Sequence, residues 1–110
     1  MKNINSLKNS SEFKEVYNRG RSKANKLLVV YILEKEGPSR IGISVSKKVG
    51  NSVERHRTTR LIRESYLSVK EEIPDGYWIV VVARAFCRGK KQPEVEEAFR
   101  HLLKCRGLIK

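Results

Sequence analysis

The sequence predicts a small α+β domain in which the elements follow the order helix, strand, strand, helix, strand, helix. Three short apolar runs rich in β-branched residues predict the strands, at residues 26–34, 40–46 and 77–84. Three other segments place apolar residues three and four positions apart, which is the spacing of a helix with one buried face. At 110 residues the chain is long enough for one hydrophobic core. Residues 1–110 are therefore expected to form a single domain, with a flexible polar start at residues 1–8.

The first helix is marked by a capping signal and an apolar stripe. Asn9 stands three positions before Glu12, the spacing of a capping box in which each side chain binds the other residue's backbone N–H. Three apolar residues follow at helical spacing: Phe13, Val16 and Tyr17. Val16 is assigned to the core, and Gly20 is expected to end the helix in a left-handed conformation.

The strand pattern predicts how the sheet is connected. Gly37 and Pro38 mark a turn between the first two strands, which are therefore expected to pair as an antiparallel hairpin. The second and third strands are joined through a helix and should run parallel if they share a sheet. On the second strand, small side chains leave one face open to a ligand or a helix: Gly42, Ser44 and Ser46.

The segment around residues 53–71 predicts a long helix with two different faces. Asn51 and Glu54 repeat the capping-box spacing at its start. At about 100° per residue, one side gathers residues suited to burial: Thr58, Leu61, Ile62, Ser65 and Val69. The opposite side and its flanks carry cationic residues and a histidine: Arg55, His56, Arg57, Arg60 and Arg63. Lys47 and Lys48 stand just before the helix, whose N-terminus can itself attract phosphate.

A last helix is predicted near the end of the chain. Pro93 suits its first turn and Gly107 suits its end. Its apolar residues form one stripe at helical spacing: Val95, Ala98, Phe99, Leu102 and Leu103.

The charge balance indicates a polyanionic partner. The chain carries 24 Lys and Arg residues against 12 Asp and Glu residues, which gives a formal net charge of +12. Like charges repel one another in a compact fold, so binding to nucleic acid explains this excess better than folding does. A basic surface that only keeps the protein dissolved is the alternative.

Arginine on the long helix strengthens the nucleic-acid interpretation. A guanidinium group can bind phosphate at two points and can stack on an unpaired base. An ordinary solvent-exposed helix face usually mixes opposite charges at i, i+4. Here only Glu54 and Glu64 interrupt the cationic run, so contact with RNA or DNA is predicted.

Other function classes are disfavoured. The longest apolar runs, residues 27–33 and 77–83, are shorter than the ~20 residues of a membrane-spanning helix. No signal peptide is recognised, and two cysteines fit reduced thiols in a cytoplasmic protein. His101 and Cys105 are too few for a metal site, so a helix-end histidine beside a buried cysteine is expected. No carboxylate cluster or partnered nucleophile indicates a catalytic centre.

Several motifs together resemble the bacterial ribonuclease P protein family. Residues 42–53 read GISVSKKVGNSV, and RHR at residues 55–57 and RLIRE at residues 60–64 follow. The hallmark of that family is Arg-Asn-Arg on this helix. Further similar positions lie nearer the N-terminus: Phe13, Val16, Tyr17, Gly20, Ala24, Asn25 and Tyr31. The resemblance covers about residues 5 to 105. His56 departs from the usual Asn, and Thr59 stands where a basic residue is common.

The resemblance implies a fold, a partner and a function. The fold would be like the second domain of ribosomal protein S5, with a left-handed β-α-β crossover. The protein would be a subunit of an endoribonuclease that removes the 5′ leader of precursor tRNA. The RNA subunit and its Mg²⁺ ions would carry the catalysis, with no catalytic side chain and no obligate protein partner. Residues implied to bind the catalytic RNA are Arg55, His56, Arg57, Arg60, Arg63 and Lys47. Residues implied to bind the leader are Phe13, Tyr17, Tyr31, Lys26 and Lys48.

Two alternatives of different class stay open at this point. A structural ribosomal protein or a general RNA chaperone could share the charge and the fold, and would bind RNA without preferring precursor over mature tRNA. A protein nuclease would cut without an RNA subunit. The missing carboxylate cluster argues against the nuclease. Only binding specificity distinguishes the ribosomal protein or RNA chaperone from a ribonuclease P subunit.

Overall fold

The computed structural model describes residues 6–110 and confirms the α+β class. Within that range the chain forms three helices: α1 (Ser10–Arg19), α2 (Ser52–Val69) and α3 (Gln92–Cys105). Four strands of the same range form one sheet: β1 (Arg21–Ala24), β2 (Leu28–Glu34), β3 (Arg40–Val45) and β4 (Tyr77–Ala83). Short 3₁₀ turns follow β3, α2 and β4: Lys47–Val49, Lys70–Glu72 and Ala85–Cys87.

Strand β4 lies inside the sheet, and the strand order is β1-β2-β4-β3. It pairs antiparallel with β2 and parallel with β3, so the parallel arrangement predicted across α2 is confirmed. The predicted β2–β3 hairpin is wrong, because β4 separates these two strands. The composition of β4 suits its position, since Ile79, Val80 and Val81 are fully buried and a strand covered on both faces is apolar throughout.

The connection between β2 and β3 is bonded to the turn before β4. The Lys35 N–H donates to the Gly76 carbonyl at 2.9 Å. The Ser39 hydroxyl donates to the Pro74 carbonyl at 2.6 Å and accepts from the Tyr77 N–H at 3.1 Å. These bonds hold the two turns side by side, so that β4 enters the sheet between β2 and β3.

Two segments at the sheet edges differ from the sequence prediction. Strand β1 is exposed along its whole length and pairs antiparallel with β2. At the other edge, Ser6 forms a bridge with Ile41, and the Leu7 N–H donates to the Ile41 carbonyl at 2.9 Å. Leu7 is buried, so the end of the segment expected to be flexible is held on the sheet. The first five residues of that segment lie outside the described part of the chain.

Hydrophobic residues pack on both faces of the sheet. Helices α2 and α3 cover one face, and the core there includes fully buried residues: Leu28, Val30, Ile62, Ile79, Phe99 and Leu102. Helix α1 covers the opposite face over a smaller cluster: Leu7, Val16, Leu33 and Val80. Val16 is therefore a core residue, as predicted.

The helix ends follow their predicted signals with one exception. Both predicted capping boxes are present: Asn9 with Glu12 on α1, and Asn51 with Glu54 on α2. Gly107 has a φ of 77° and follows the end of α3, as expected. Gly20, in contrast, has a φ of −81° and is not left-handed. Glycine is needed there for space, because a Cβ would lie 2.6 Å from the Val16 carbonyl oxygen. Among the described residues, no helix has both the length and the apolarity to cross a bilayer.

Candidate RNA interface

Helix α2 presents a cationic surface away from the core, called the arginine face below: Arg55, His56, Arg57, Arg60 and Arg63. The capping box fixes where this helix begins, because the Asn51 side chain accepts from the Glu54 N–H at 3.0 Å. The Glu54 carboxylate accepts in turn from the Asn51 N–H at 3.2 Å. The residues predicted to be buried on the inner side are buried, and Tyr66 joins them. His56, Arg60 and Arg63 are exposed, while Arg55 and Arg57 are half-buried.

Within residues 6–110, the arginine face forms no ion pair with a carboxylate. Other arginines do pair with glutamates: Arg19 with Glu15, Arg40 with Glu12, Arg88 with Glu54, and Arg100 with Glu72 and Glu96. The acid at the start of α2, Glu54, is thus already engaged. No carboxylate of the described residues therefore neutralises the arginine face, and its charge is available to an external phosphate.

Arg55 and Arg57, at the two sides of the arginine face, are half-buried against the rest of the protein. The Nη2 atom of Arg55 is 3.4 Å from the Ser52 hydroxyl, and its buried Nε has no hydrogen-bond partner within the described residues. Arg57 lies near Cys87, where burial raises the pKa of the thiol and the arginine charge acts in the opposite direction. The exposed side chains of the arginine face are therefore His56, Arg60 and Arg63.

Lys47 and Lys48 lie in the 3₁₀ turn that connects β3 to α2, and both are exposed. Gly50 closes this turn with a φ of 148°, a conformation that residues with a Cβ rarely adopt. A Cβ at Gly50 would also collide with the Glu54 carboxylate. The turn therefore places two exposed lysines immediately before the N-terminus of α2, as predicted.

Three aromatic side chains form a row between α1 and the sheet, called the aromatic row below: Phe13, Tyr17 and Tyr31. The ring centroids of Tyr17 and Tyr31 lie 4.9 Å apart with an interplanar angle of 88°. Those of Phe13 and Tyr17 lie 6.4 Å apart. Tyr17 is 37% exposed, whereas Phe13 and Tyr31 are half-buried and pack against the smaller hydrophobic cluster. The structure thus brings the three predicted aromatic residues together, with Tyr17 the most accessible.

Phe13 packs on the open face of β3. A Cβ at Gly42 would lie 2.7 Å from the Cζ atom of Phe13, so glycine makes room for the ring. Both residues line a cavity of about 150 Å³, which Thr59 and Arg63 of α2 also line. The aromatic row therefore adjoins the arginine face at the β3 edge of the sheet.

The sheet surface beside the aromatic row is only partly covered. The pairing register sets two adjacent rows across β2, β4 and β3: Tyr31, Val80 and Gly42, and then Val29, Val82 and Ser44. The first row contains the fully buried Val80, whereas all three residues of the second row are half-buried. We call this second row the open floor. It lies toward the ends of β3 and β4, next to the turns that follow them.

Lys26 lies just before β2, and its ammonium nitrogen is 5.1 Å from the centroid of the Phe86 ring. Phe86 belongs to the 3₁₀ turn after β4, which contacts the 3₁₀ turn that contains Lys48. Phe86 is 60% exposed. Sequence reasoning missed this residue, because a phenylalanine just after an apolar strand is expected in the core and no local signal reports its exposure.

Ion pairs, hydrogen bonds and burial explain the shifted pKa values of the titratable groups. The Lys8 N–H and the Arg40 side chain donate to Glu12 and hold its pKa below the ordinary value. Burial raises the pKa of Tyr66 and that of Cys87. These shifts arise from ion pairs, hydrogen bonds and burial that belong to the fold.

His101 and Cys105 contact each other at the end of α3, with 3.6 Å between Nε2 and Sγ. Cys105 is exposed, so the expectation of a buried thiol is wrong. Cys105 is the last residue of α3, and its neighbours Lys104 and Arg106 are exposed as well. In the described part of the chain, no group of three or more His, Cys, Asp or Glu residues could hold a metal ion.

Comparisons with known proteins identify the family. A family model described as Ribonuclease P matches residues 1–106. The ribonuclease P protein component of Lachnoclostridium phytofermentans is 52% identical over 105 residues, which cover 94% of this chain and 90% of that protein. The chain belongs to the ribonuclease P protein family. The ribonuclease P protein component of Alkaliphilus oremlandii is 47% identical over 110 residues, which cover 99% of this chain and 96% of the relative.

Solved structures of ribonuclease P proteins have the same fold. The protein from Staphylococcus aureus has a TM-score of 0.88 and 32% identity, covering 98% of this chain and all of that chain. The protein from Thermotoga maritima has a TM-score of 0.83 and 30% identity, covering 91% and 96%. The resemblance to ribonuclease P proteins noted from the sequence is therefore confirmed.

Proposed function

We propose that this chain is the protein subunit of ribonuclease P, where it binds the catalytic RNA and the 5′ leader of precursor tRNA. In this role it promotes endonucleolytic removal of the leader and so produces the mature 5′ end. Family membership supports assembly with ribonuclease P RNA. The observation that carries the finer assignment is the junction of the arginine face with the aromatic row at the β3 edge.

The catalytic RNA binds the arginine face and Lys47. A folded RNA presents many phosphates at fixed positions, and guanidinium groups bind phosphate with two parallel hydrogen bonds. Arg60 and Arg63 are exposed and form no ion pair within residues 6–110, so binding breaks no contact that the fold needs. His56 adds a ring N–H hydrogen-bond donor to this surface.

The leader binds the aromatic row, with Lys26 and Lys48 contacting its phosphates. An aromatic side chain stacks on any unpaired base without reading its identity, and nearby cations follow the backbone. Tyr17 is accessible for such stacking, and the open floor leaves room beside it. A single-stranded leader of variable sequence fits this chemistry better than a duplex, whose bases are already paired.

Bond cleavage belongs to the RNA subunit and its Mg²⁺ ions. Mg²⁺ prefers oxygen ligands such as carboxylates, whereas the arginine face and the lysines before it are cationic. These residues therefore do not fit a protein-held magnesium site. The net charge of +12 instead screens the repulsion between the two RNAs, which lowers the divalent ion concentration they need. The protein needs no other protein partner for this role and acts in the cytoplasm.

The test is cleavage of a precursor tRNA at low Mg²⁺. It compares this protein alone, a bacterial ribonuclease P RNA alone, and the two together. We expect cleavage at the mature 5′ end only in the mixture. Activity of the protein alone would identify a protein nuclease. Failure to stimulate a well-folded, matched RNA would favour a ribosomal protein or a general RNA chaperone.

A further inference from the structure

Phe86 is exposed in a setting that suits a nucleobase. Single exposed apolar residues are common on protein surfaces and need no explanation by themselves. Phe86 differs because Lys26 lies over its ring, and because the turn that carries the exposed Lys47 and Lys48 is in contact with the turn that carries Phe86. An accessible ring beside a cation, on a basic surface, is an arrangement that binds single-stranded nucleic acid.

The turn that carries Phe86 is held in place at both ends. The Cys87 N–H donates to the Arg84 carbonyl at 2.9 Å, which closes the 3₁₀ turn. The Arg84 guanidinium donates to the Asn25 carbonyl at 2.8 Å and so fixes the turn against the segment before β2. On the other side, Arg88 forms an ion pair with Glu54 of α2. The exposed ring therefore projects from a bonded turn, which lowers the entropy cost of binding to it.

We propose that Phe86 is a further stacking site for an unpaired nucleotide of the precursor leader, which rests on the function proposed above. The open floor leads from the aromatic row toward the end of β4, and Phe86 lies three residues beyond that end. A strand that stacks on Tyr17 and crosses the open floor reaches this ring next. One face of the ring meets the Lys26 ammonium, so a base stacks on the other face while Lys26 or Lys48 contacts the phosphate.

The experiment measures affinities of the reconstituted holoenzyme for precursors with leaders of increasing length and for mature tRNA. Phe86→Ala removes the ring, Phe86→Leu keeps apolar bulk without an aromatic face, and Phe86→Trp keeps an aromatic face. For leaders long enough to reach the site, we expect the Ala and Leu variants to weaken precursor binding roughly 5- to 150-fold, the usual effect of losing one stacked base. The Trp variant should bind as the unaltered protein does.

Mature tRNA and the catalytic RNA should bind all the variants equally. If the unaltered holoenzyme does not prefer precursor to mature tRNA, the proposed function itself fails. If that preference exists and the Ala and Leu variants keep it at every leader length, the inference about Phe86 is overturned. A loss of affinity for the catalytic RNA would also overturn it, because the ring would then belong to the other RNA surface.

Discussion

Replacement of Arg60 by glutamine should make binding of the catalytic RNA weaker and less dependent on salt. Arg60 is exposed on the arginine face and has no ion pair within residues 6–110. Glutamine therefore removes one charge without breaking a contact that holds the fold. A cation that neutralises a phosphate releases condensed counterions, so the loss of one contact lowers the number released.

The size of the effect follows from the number of cations. Five cationic side chains are proposed to neutralise phosphates of the catalytic RNA: Lys47, Arg55, Arg57, Arg60 and Arg63. At roughly 0.8 counterions per phosphate, the logarithm of affinity falls with the logarithm of salt at a slope of about −4, and at about −3.2 in the variant. A fourfold rise in KCl then weakens the unaltered protein about 250-fold and the variant about 80-fold.

The assay is equilibrium binding to ribonuclease P RNA over a fourfold range of KCl at constant Mg²⁺. Arg106→Gln is the matched control, because it removes one exposed arginine charge just beyond the end of α3. The control should keep the steeper slope. Equal slopes for Arg60→Gln and the unaltered protein, or an equal decrease in both variants, would refute a phosphate contact at Arg60.

Three further outcomes are expected. Tyr17→Ala should weaken binding of leader-bearing precursor by ~1–3 kcal/mol, the scale of base stacking, and leave mature tRNA unchanged; equal loss for both ligands would place Tyr17 outside the leader site. Asn51→Ala should cost about 1 kcal/mol of stability through loss of the α2 cap, measured by urea denaturation, whereas Asn18→Ala, at an exposed helical position, should not. The folded chain holds the pKa of Glu12 below its ordinary value, so the unfolded chain binds more protons as this carboxylate titrates, and stability should fall as the pH drops through that acidic range. In urea denaturation between pH 3 and pH 6, Glu12→Gln should reduce this pH dependence of the free energy of unfolding, whereas Glu36→Gln should leave the dependence unchanged. An unchanged pH dependence in Glu12→Gln would contradict the assignment.

The features that the sequence predicted well are those that neighbouring residues determine. The capping box at Asn51 sets the start of α2, and the helical repeat then fixes which side chains point inward. The inward side buries Ile62, and the outward side exposes Arg60, because about 100° per residue leaves no freedom once the start is fixed. The arginine face could therefore be assigned from local sequence alone.

The strand order could not be predicted, because distant segments decide it. A turn such as that at Gly37 favours a hairpin locally. In the fold, however, the Ser39 hydroxyl bonds to the turn before β4, so that β4 lies between β2 and β3. Strand β1 was missed because its charged and small residues lack the apolar alternation that predicts a strand. Such residues can still pair at the edge of a sheet, where they discourage pairing with other chains. Phe86 was missed because tertiary contacts, not its local sequence, leave it exposed.

The central position of β4 has a consequence for synthesis on the ribosome. A nascent chain that has emerged as far as Glu72 contains β1, β2 and β3 but lacks the strand that joins β2 to β3. The edges of β2 and β3 that later pair with β4 are then unpaired, and such edges can associate with other chains. The cationic residues of α2 have already emerged at that stage, before the sheet that orients them can close. We therefore expect the growing chain to attract RNA first and to acquire its specific surfaces only when β4 is released.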